Sequence, residues 1–210
     1  MIKGSIVALV TPFDEAGSVD HSRLRELINW HIDEGTDAIL VLGTTGETPA
    51  LSEEEQDAIV RTAVAESRGR VPIIANSGCN NTEKTIAKSI RYEKMGADAL
   101  LVITPYYNKP NKSGMKEHFT RTADAVGIPV YIYNVPARTG ICIDAETVGE
   151  LSKHPNIAGI KEASGDMSYV AKISKFAGDD FCIYSGNDDI TIAIMSMGGM
   201  GAVSVWANIM

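Results

Sequence analysis

Lys161 is the residue whose setting promises most chemistry. It stands in Ile157-Ala158-Gly159-Ile160-Lys161-Glu162-Ala163, a run otherwise apolar or small up to the lysine. Side chains alternate along a strand, so Lys161 shares a face with Gly159 and Ala163, while Ile160 and Glu162 take the other. Small neighbours leave room for a long side chain and a bound ligand. Burial disfavours the ammonium and lowers a lysine pKa from about 10.4 by as much as several units. The neutral amine attacks ketones and forms a Schiff base. Once protonated, that imine withdraws electrons and acidifies the adjacent carbon. The plainer alternative is a lysine that snorkels from a strand end or pairs with Glu162, because buried lysines are rare.

Other polar groups follow apolar runs in the same way. Gly43-Thr44-Thr45-Gly46-Glu47 offers two hydroxyls and free backbone N–H groups that suit a carboxylate or phosphate oxygen, although an ordinary turn reads the same. Thr104-Pro105-Tyr106-Tyr107-Asn108 carries a pair of tyrosines. Tyr133-Asn134-Val135-Pro136-Ala137-Arg138-Thr139-Gly140 puts a phenol and a guanidinium in one stretch, a proton carrier and an anion clamp. Asn76-Ser77-Gly78 and Ser185-Gly186-Asn187-Asp188 end two further runs. A keto acid fits the set: its ketone meets Lys161, its carboxylate meets Thr44 and Thr45, and Tyr133 shuttles protons.

Something must bring these positions together. Eight apolar runs recur along the chain: 5–11, 38–42, 71–75, 99–104, 129–133, 157–161, 181–184 and 201–206. They are nearly continuous in Val, Ile, Leu and Ala, as strands buried on both faces of a parallel sheet should be. Helical patterns lie between most of them. Asp20, Asp144, Asp166 and Asp189 precede apolar faces, Thr82 opens another, and Ser52 with Glu55 forms a capping box. Gly35, Gly69, Gly96, Gly127 and Gly178 suit helix stops. Alternating strand and helix predicts an α/β fold, and eight strands predict a (β/α)8 TIM barrel with its chemistry at the strands' C-terminal ends. The rival, an open doubly wound sheet, should show a Gly-rich phosphate turn after the first strand, and Val10-Thr11-Pro12-Phe13 is not one. The Gly-rich stretch 197–201 precedes the last strand, the wrong end for a phosphate site.

The chain has 210 residues, 44% of them hydrophobic and 22% charged, with a formal net charge of −8. This predicts one soluble, cytoplasmic domain over 1–210, with neither a signal peptide nor a membrane span. The acidic balance, without a basic cluster, argues against nucleic acid as a partner. Cys79, Cys142 and Cys182 are widely spaced and read as free thiols. His21, His31, His118 and His154 are equally scattered, so no metal is expected.

Three segments carry a resemblance to a known family. Residues 43–47, 133–140 and Gly159-Ile160-Lys161-Glu162-Ala163-Ser164-Gly165-Asp166 resemble the 4-hydroxy-tetrahydrodipicolinate (dihydrodipicolinate) synthase family of pyruvate-dependent class I aldolases, and the likeness runs from Gly4 to Asn208. It implies a (β/α)8 barrel that needs no cofactor and condenses pyruvate with L-aspartate 4-semialdehyde in lysine and diaminopimelate biosynthesis, as a homodimer or homotetramer. By that resemblance Lys161 forms the pyruvate Schiff base and Tyr133 is the general acid/base. Thr44 and Thr45 hold the pyruvate carboxylate, Thr44 also linking the proton relay. Tyr107 completes the relay by crossing into a neighbouring subunit's site. Arg138 orients the semialdehyde carboxylate, and Gly186 and the backbone at Val203 line the pyruvate site.

Arg138 separates this reading from keto-deoxy-sugar and sialic-acid aldolases, relatives that take neutral polyhydroxy aldehydes. The resemblance also implies an effector site for lysine at Thr48, Pro49, Glu53, Gln56, Asn80, Lys84 and Tyr106. Lys84 falls where regulated members place a glutamate, so lysine feedback should be weak or absent. Finally, the last strand ends near Trp206 and leaves no room for an eighth helix. A C-terminally truncated barrel, lacking that helix and the small helical region beyond it, is the expectation. An inactive fragment is therefore a further alternative, and apolar surface should be exposed near the last and first strands.

Overall fold

The computed structural model describes residues 2–210. Eight parallel strands close into a barrel in sequence order: β1 (Gly4–Ala8), β2 (Ala38–Val41), β3 (Ile73–Asn76), β4 (Ala99–Ile103), β5 (Val130–Asn134), β6 (Ile157–Glu162), β7 (Cys182–Ser185) and β8 (Gly201–Ser204). β1 pairs with both β2 and β8, from Ile6↔Ala38 on one edge and Gly4↔Gly201 on the other. Helices α1 (His21–Asp33), α2 (Glu53–Ser67), α3 (Thr82–Lys94), α4 (Lys112–Asp124), α6 (Ala145–Leu151), α7 (Met167–Ile173) and α8 (Thr191–Ser196) connect successive strands. A single turn, α5 (Pro136–Thr139), lies between β5 and α6. Among the described residues β8 is followed by a 3₁₀ turn, Trp206–Asn208, and by no α-helix. Among the described residues no helix is long and apolar enough to cross a membrane.

Alternation sorts the strands into two cores. Ile6, Leu40, Ile74, Leu101, Tyr131, Tyr184 and Val203 point into the barrel. Val7, Ile39, Val102, Ile132, Ile160 and Ile183 point outward against the helices. This two-sided burial explains the nearly unbroken apolar runs. Tyr131 and Tyr184 meet edge-on inside, and the Tyr184 hydroxyl donates to the Ile2 carbonyl at 2.6 Å, closing the barrel floor.

Asp20, Asp144 and Asp166 each accept a backbone N–H of the helix they precede, and Ser52 and Glu55 form the reciprocal capping box. Such caps contribute about 1 kcal/mol each. Thr82 opens α3 as expected, behind an Asn81 cap, and three other expectations are corrected. β1 ends at Ala8 rather than Thr11, and Thr11 instead donates to the Gly46 carbonyl at 2.7 Å. Asp189 caps nothing: it lies in the 3₁₀ turn Asp188–Ile190, and α8 opens without a side-chain cap. Gly127 and Gly178 are not left-handed, unlike Gly35, Gly69 and Gly96.

Helix α4 is absent from the pattern reading for a physical reason. Its inward face includes His118 and Thr122 beside Met115, Phe119 and Ala123. Burial drives the His118 pKa down to about 4, and its ring nitrogen meets the Thr82 hydroxyl at 3.0 Å. A neutral histidine and a threonine fill positions where periodicity looks for apolar side chains.

Candidate active site

The mouth of the barrel at the strands' C-terminal ends holds a cavity of about 480 Å³. Its walls include Thr44, Thr45, Tyr133, Arg138, Lys161 and Gly186. Six of the eight residues singled out in the sequence thus meet around one space.

Lys161 rises into this space from inside the barrel and is 6% exposed. Its Nζ lies 4.4 Å from the centroid of the Tyr133 ring, and the two residues are register partners across β5 and β6. Beneath it, Ile6, Leu40, Ile74, Leu101, Tyr131, Tyr184 and Val203 enclose a space of about 10 Å³. One water needs roughly 10–15 Å³ and several polar partners, so this apolar floor is dry. Burial there pulls the Lys161 pKa down to about 8; Asp188 opposes the fall and Arg138 adds to it. The lysine therefore keeps a substantial neutral fraction near neutrality, as an attacking amine requires. Burial raises the pKa of the Tyr133 phenol, while the Thr44 hydroxyl and the Arg138 guanidinium draw it back.

The turn bearing Thr44 and Thr45 is held in an unusual backbone. Leu42 and Glu47 adopt φ of 60° and 54°, left-handed values that non-glycine residues seldom take. The Leu42 carbonyl accepts from the Thr48 hydroxyl and, at 2.8 Å, from Asn76 Nδ2. Arg138 sits exposed at the rim on α5, whose turn ends at Gly140 with φ 71°. Gly186 is there for space: a Cβ would lie 2.7 Å from Ala163 Cβ and 3.1 Å from Lys161 Cε.

Two sequence candidates lie elsewhere. Val203 lines the apolar floor under Lys161 and not the upper cavity. Tyr107 is 87% exposed on the loop after β4, at φ 71°, outside the cavity of its own chain. The cavity also has walls without an assigned role in the sequence reading: Asn187, Asp188, Asp189, Val205 and Trp206. Asp188 could have been found, as a carboxylate just beyond strand 7. Its Oδ2 accepts from the N–H groups of Val205 at 3.0 Å and Trp206 at 3.2 Å. Trp206 carries no sequence signal, since only the terminal 3₁₀ turn brings it to the rim.

A second cavity, of about 160 Å³, lies behind the first and shares Thr44 with it. Of the expected effector positions, Thr48, Pro49, Gln56 and Tyr106 line it. Glu53, Asn80 and Lys84 do not. The cation on its wall is Lys88, whose Nζ donates to Gln56 Oε1 at 3.0 Å, whereas Lys84 is exposed to solvent.

Comparison with known proteins agrees with this architecture. The dihydrodipicolinate synthetase family matches residues 1–210. The 4-hydroxy-tetrahydrodipicolinate synthase of Thermoanaerobacter sp. (strain X514) is 53% identical over 210 residues, which are 100% of this chain and 70% of the relative. Dihydrodipicolinate synthase DapA-2 of Bacillus anthracis superposes with a TM-score of 0.97 at 42% identity, over 100% of this chain and 72% of that one. The chloride-inhibited dihydrodipicolinate synthase of Acinetobacter baumannii, solved with pyruvate, gives 0.97 at 41%, with the same coverage. A buried amine against a phenol, a turn with two threonines and a rim arginine at the mouth of a closed barrel thus coincide with similarity along the entire chain, which belongs to the dihydrodipicolinate synthetase family.

Proposed function

We propose that this chain carries the 4-hydroxy-tetrahydrodipicolinate synthase reaction, the condensation of pyruvate with L-aspartate 4-semialdehyde. The observation that carries the reading is the buried Lys161 amine, lowered to a pKa of about 8 and set against Tyr133 in a cavity rimmed by Arg138. The neutral amine attacks the pyruvate ketone, and Tyr133 gives its proton to the departing hydroxyl, so loss of water leaves a protonated imine on Lys161 and a phenolate at Tyr133. Thr44 and Thr45 hold the carboxylate through hydroxyl and backbone donors. The protonated imine drains electrons from the methyl carbon, Tyr133 accepts a methyl proton, and an enamine forms. That carbon attacks the aldehyde of the second substrate, whose new alkoxide takes a proton from Tyr133. The substrate's own amine then displaces Lys161 from the imine carbon and closes the ring.

Arg138 supplies the grip on the second substrate's carboxylate, in a planar geometry that a sugar aldehyde has no use for. A sugar-aldolase reading finds support in Asn187, Asp188 and Asp189, which could take hydroxyls. Asp188, however, already spends one oxygen on two backbone N–H groups. Tyr107 enters the relay only if a second copy of the chain lends it across an interface, which favours a homodimer or homotetramer as the working form. Weak lysine feedback is retained in this reading with Lys88 as its support, in place of Lys84: an ammonium already on the cavity wall repels a cationic effector.

The test is turnover of pyruvate with L-aspartate 4-semialdehyde against pyruvate with neutral sugar aldehydes, for the natural protein and Arg138→Ala. The reading expects preference for the semialdehyde, largely lost on removing Arg138. Preference for the sugars would reverse it.

A further inference from the structure

We infer that Asn134 and Glu162, outside the barrel wall, form a positioning couple that holds Tyr133 and Lys161 in place for proton transfer. This rests on the Schiff-base reading above and adds two residues that touch no substrate. Tyr133 pairs with Lys161 across β5 and β6, and the next register pair is Asn134 with Glu162. Alternation turns the first pair into the cavity and the second toward the helices.

Both outer residues are almost wholly buried, at 0% and 1% exposure. Asn134 Nδ2 donates to Glu162 Oε2 at 2.7 Å, and Asn134 Oδ1 accepts from the Ile143 N–H at 3.2 Å. Glu162 Oε1 accepts from the Ser164 N–H. Main-chain bonds extend the tie: Ala163 N–H donates to the Asn134 carbonyl at 2.9 Å, and Gly186 N–H to the Glu162 carbonyl at 2.7 Å. One couple therefore fixes the catalytic strand pair, the start of the Arg138 loop at β5 and its far end at Ile143, the turn after β6, and Gly186.

A buried carboxylate is an expensive way to close a sheet. One step earlier on the same outward face stand Ile132 and Ile160, which pack apolarly without help. The polar pair appears only at the level of the reacting groups. Each polar atom of the pair has a defined direction, donor or acceptor, so it fixes the strand ends where apolar packing would tolerate a slide.

The direction of these bonds supplies the test. Asn134→Asp sets two carboxylates against each other, and Glu162→Gln forces the new amide nitrogen against either the Asn134 amide or the Ser164 N–H. In the double variant the new amide at position 162 donates to the new carboxylate at position 134 and still accepts from Ser164. That carboxylate still accepts from Ile143, so the bonds across the couple and to Ile143 and Ser164 are restored with its polarity reversed, and only the long bond from Asn134 Nδ2 to Cys142 Sγ, at 3.4 Å, is lost. The natural protein, both single variants and the double variant are incubated with pyruvate in D2O, well below each melting temperature. Two readouts are taken: adduct at Lys161 after borohydride reduction, and deuterium in the pyruvate methyl group.

Each single variant should keep a near-normal adduct at saturating pyruvate but lose about 10–100-fold in methyl exchange, the usual cost of a misplaced catalytic group. The double variant should recover exchange. Unchanged exchange in the single variants overturns the inference. So does exchange that falls only in proportion to adduct, or a folded double variant that stays slow. Should the single variants fail to fold, the double variant alone decides in the same way. If the natural protein forms no adduct, the Schiff-base reading fails first and takes this inference with it.

Discussion

Two walls of the same cavity are held in different ways. The β5–β6 wall pairs continuously from Tyr131↔Gly159 to Asn134↔Glu162 and is locked from outside by a buried side-chain hydrogen bond. The β7–β8–β1 wall is interrupted at one seam, although β8 and β1 pair from Gly4↔Gly201 to Val7↔Ser204. β7 meets β8 only at Tyr184↔Gly201 and Ser185↔Ala202, and β8 then gives way to the 3₁₀ turn at Trp206–Asn208. Side chains reinforce that end beyond the sheet: Asp188 takes two N–H groups of the turn, and Asn208 bridges to the Ala8 carbonyl at 2.8 Å and the Val10 N–H at 3.1 Å. On this side Ile192, Met195, Trp206 and Ile209 are exposed, the apolar surface expected near the last and first strands. The lysine and the phenol of the proposed reaction stand on the continuous wall, while the discontinuous wall shapes the rim.

The largest effect should come from the continuous wall. Tyr133→Phe removes the proton carrier and leaves the lysine, so turnover should fall by about 10²–10⁴-fold while pyruvate adduct persists. Steady-state kinetics beside adduct mass spectrometry would check this, and equal loss of both would move Tyr133 into substrate binding. Next is the pH dependence of imine formation. The attacking species is the neutral amine, so the initial rate should rise about tenfold per pH unit up to the Lys161 pKa of about 8 and then level. A rate still climbing toward the ordinary lysine value would show that the dry floor does not set the amine's basicity.

Gly186→Ala lies at the junction of the two walls. Its methyl would press on Ala163 Cβ and Lys161 Cε, so adduct formation should slow by about tenfold, the scale of a small misplacement, with little loss of folded protein. The smallest effect belongs to the discontinuous wall. Asp188→Asn weakens two charge-assisted bonds and should cost about 1 kcal/mol or less. Amide exchange should quicken at Val205 and Trp206 and stay unchanged along β5 and β6. Quickening on both walls would mean that they are one mechanical unit.

Legibility follows the same division. The barrel could be read because parallel strands buried on both faces leave unbroken apolar runs, and Lys161 stood out because it interrupts one of them. Thr44, Thr45, Tyr133, Arg138 and Gly186 were visible as strand-end residues, and the structure brings them around one cavity. What stayed hidden depends on contacts distant in sequence. Helix α4 hides behind His118, whose partner Thr82 lies on another helix, and Thr122, a buried polar side chain that bonds back to the His118 carbonyl. Trp206 reaches the rim through a short turn whose hydrogen-bond acceptor, Asp188, belongs to another loop. Lys88, and not Lys84, enters the second cavity because it stands one turn further along the same face of α3, at the level of Gln56. Glu162 could be placed on the outward face, but its pairing with Asn134 needs the β5–β6 register.

The central claim is that a buried, partly neutral Lys161 forms a covalent imine with pyruvate. Borohydride reduction of the folded protein with pyruvate, followed by peptide mass spectrometry, tests it most directly. The expected result is one pyruvate-derived adduct on Lys161, absent from Lys161→Met, with no modification at Lys84 or Lys88. A folded protein that yields no adduct, or yields one on another lysine, would contradict the account.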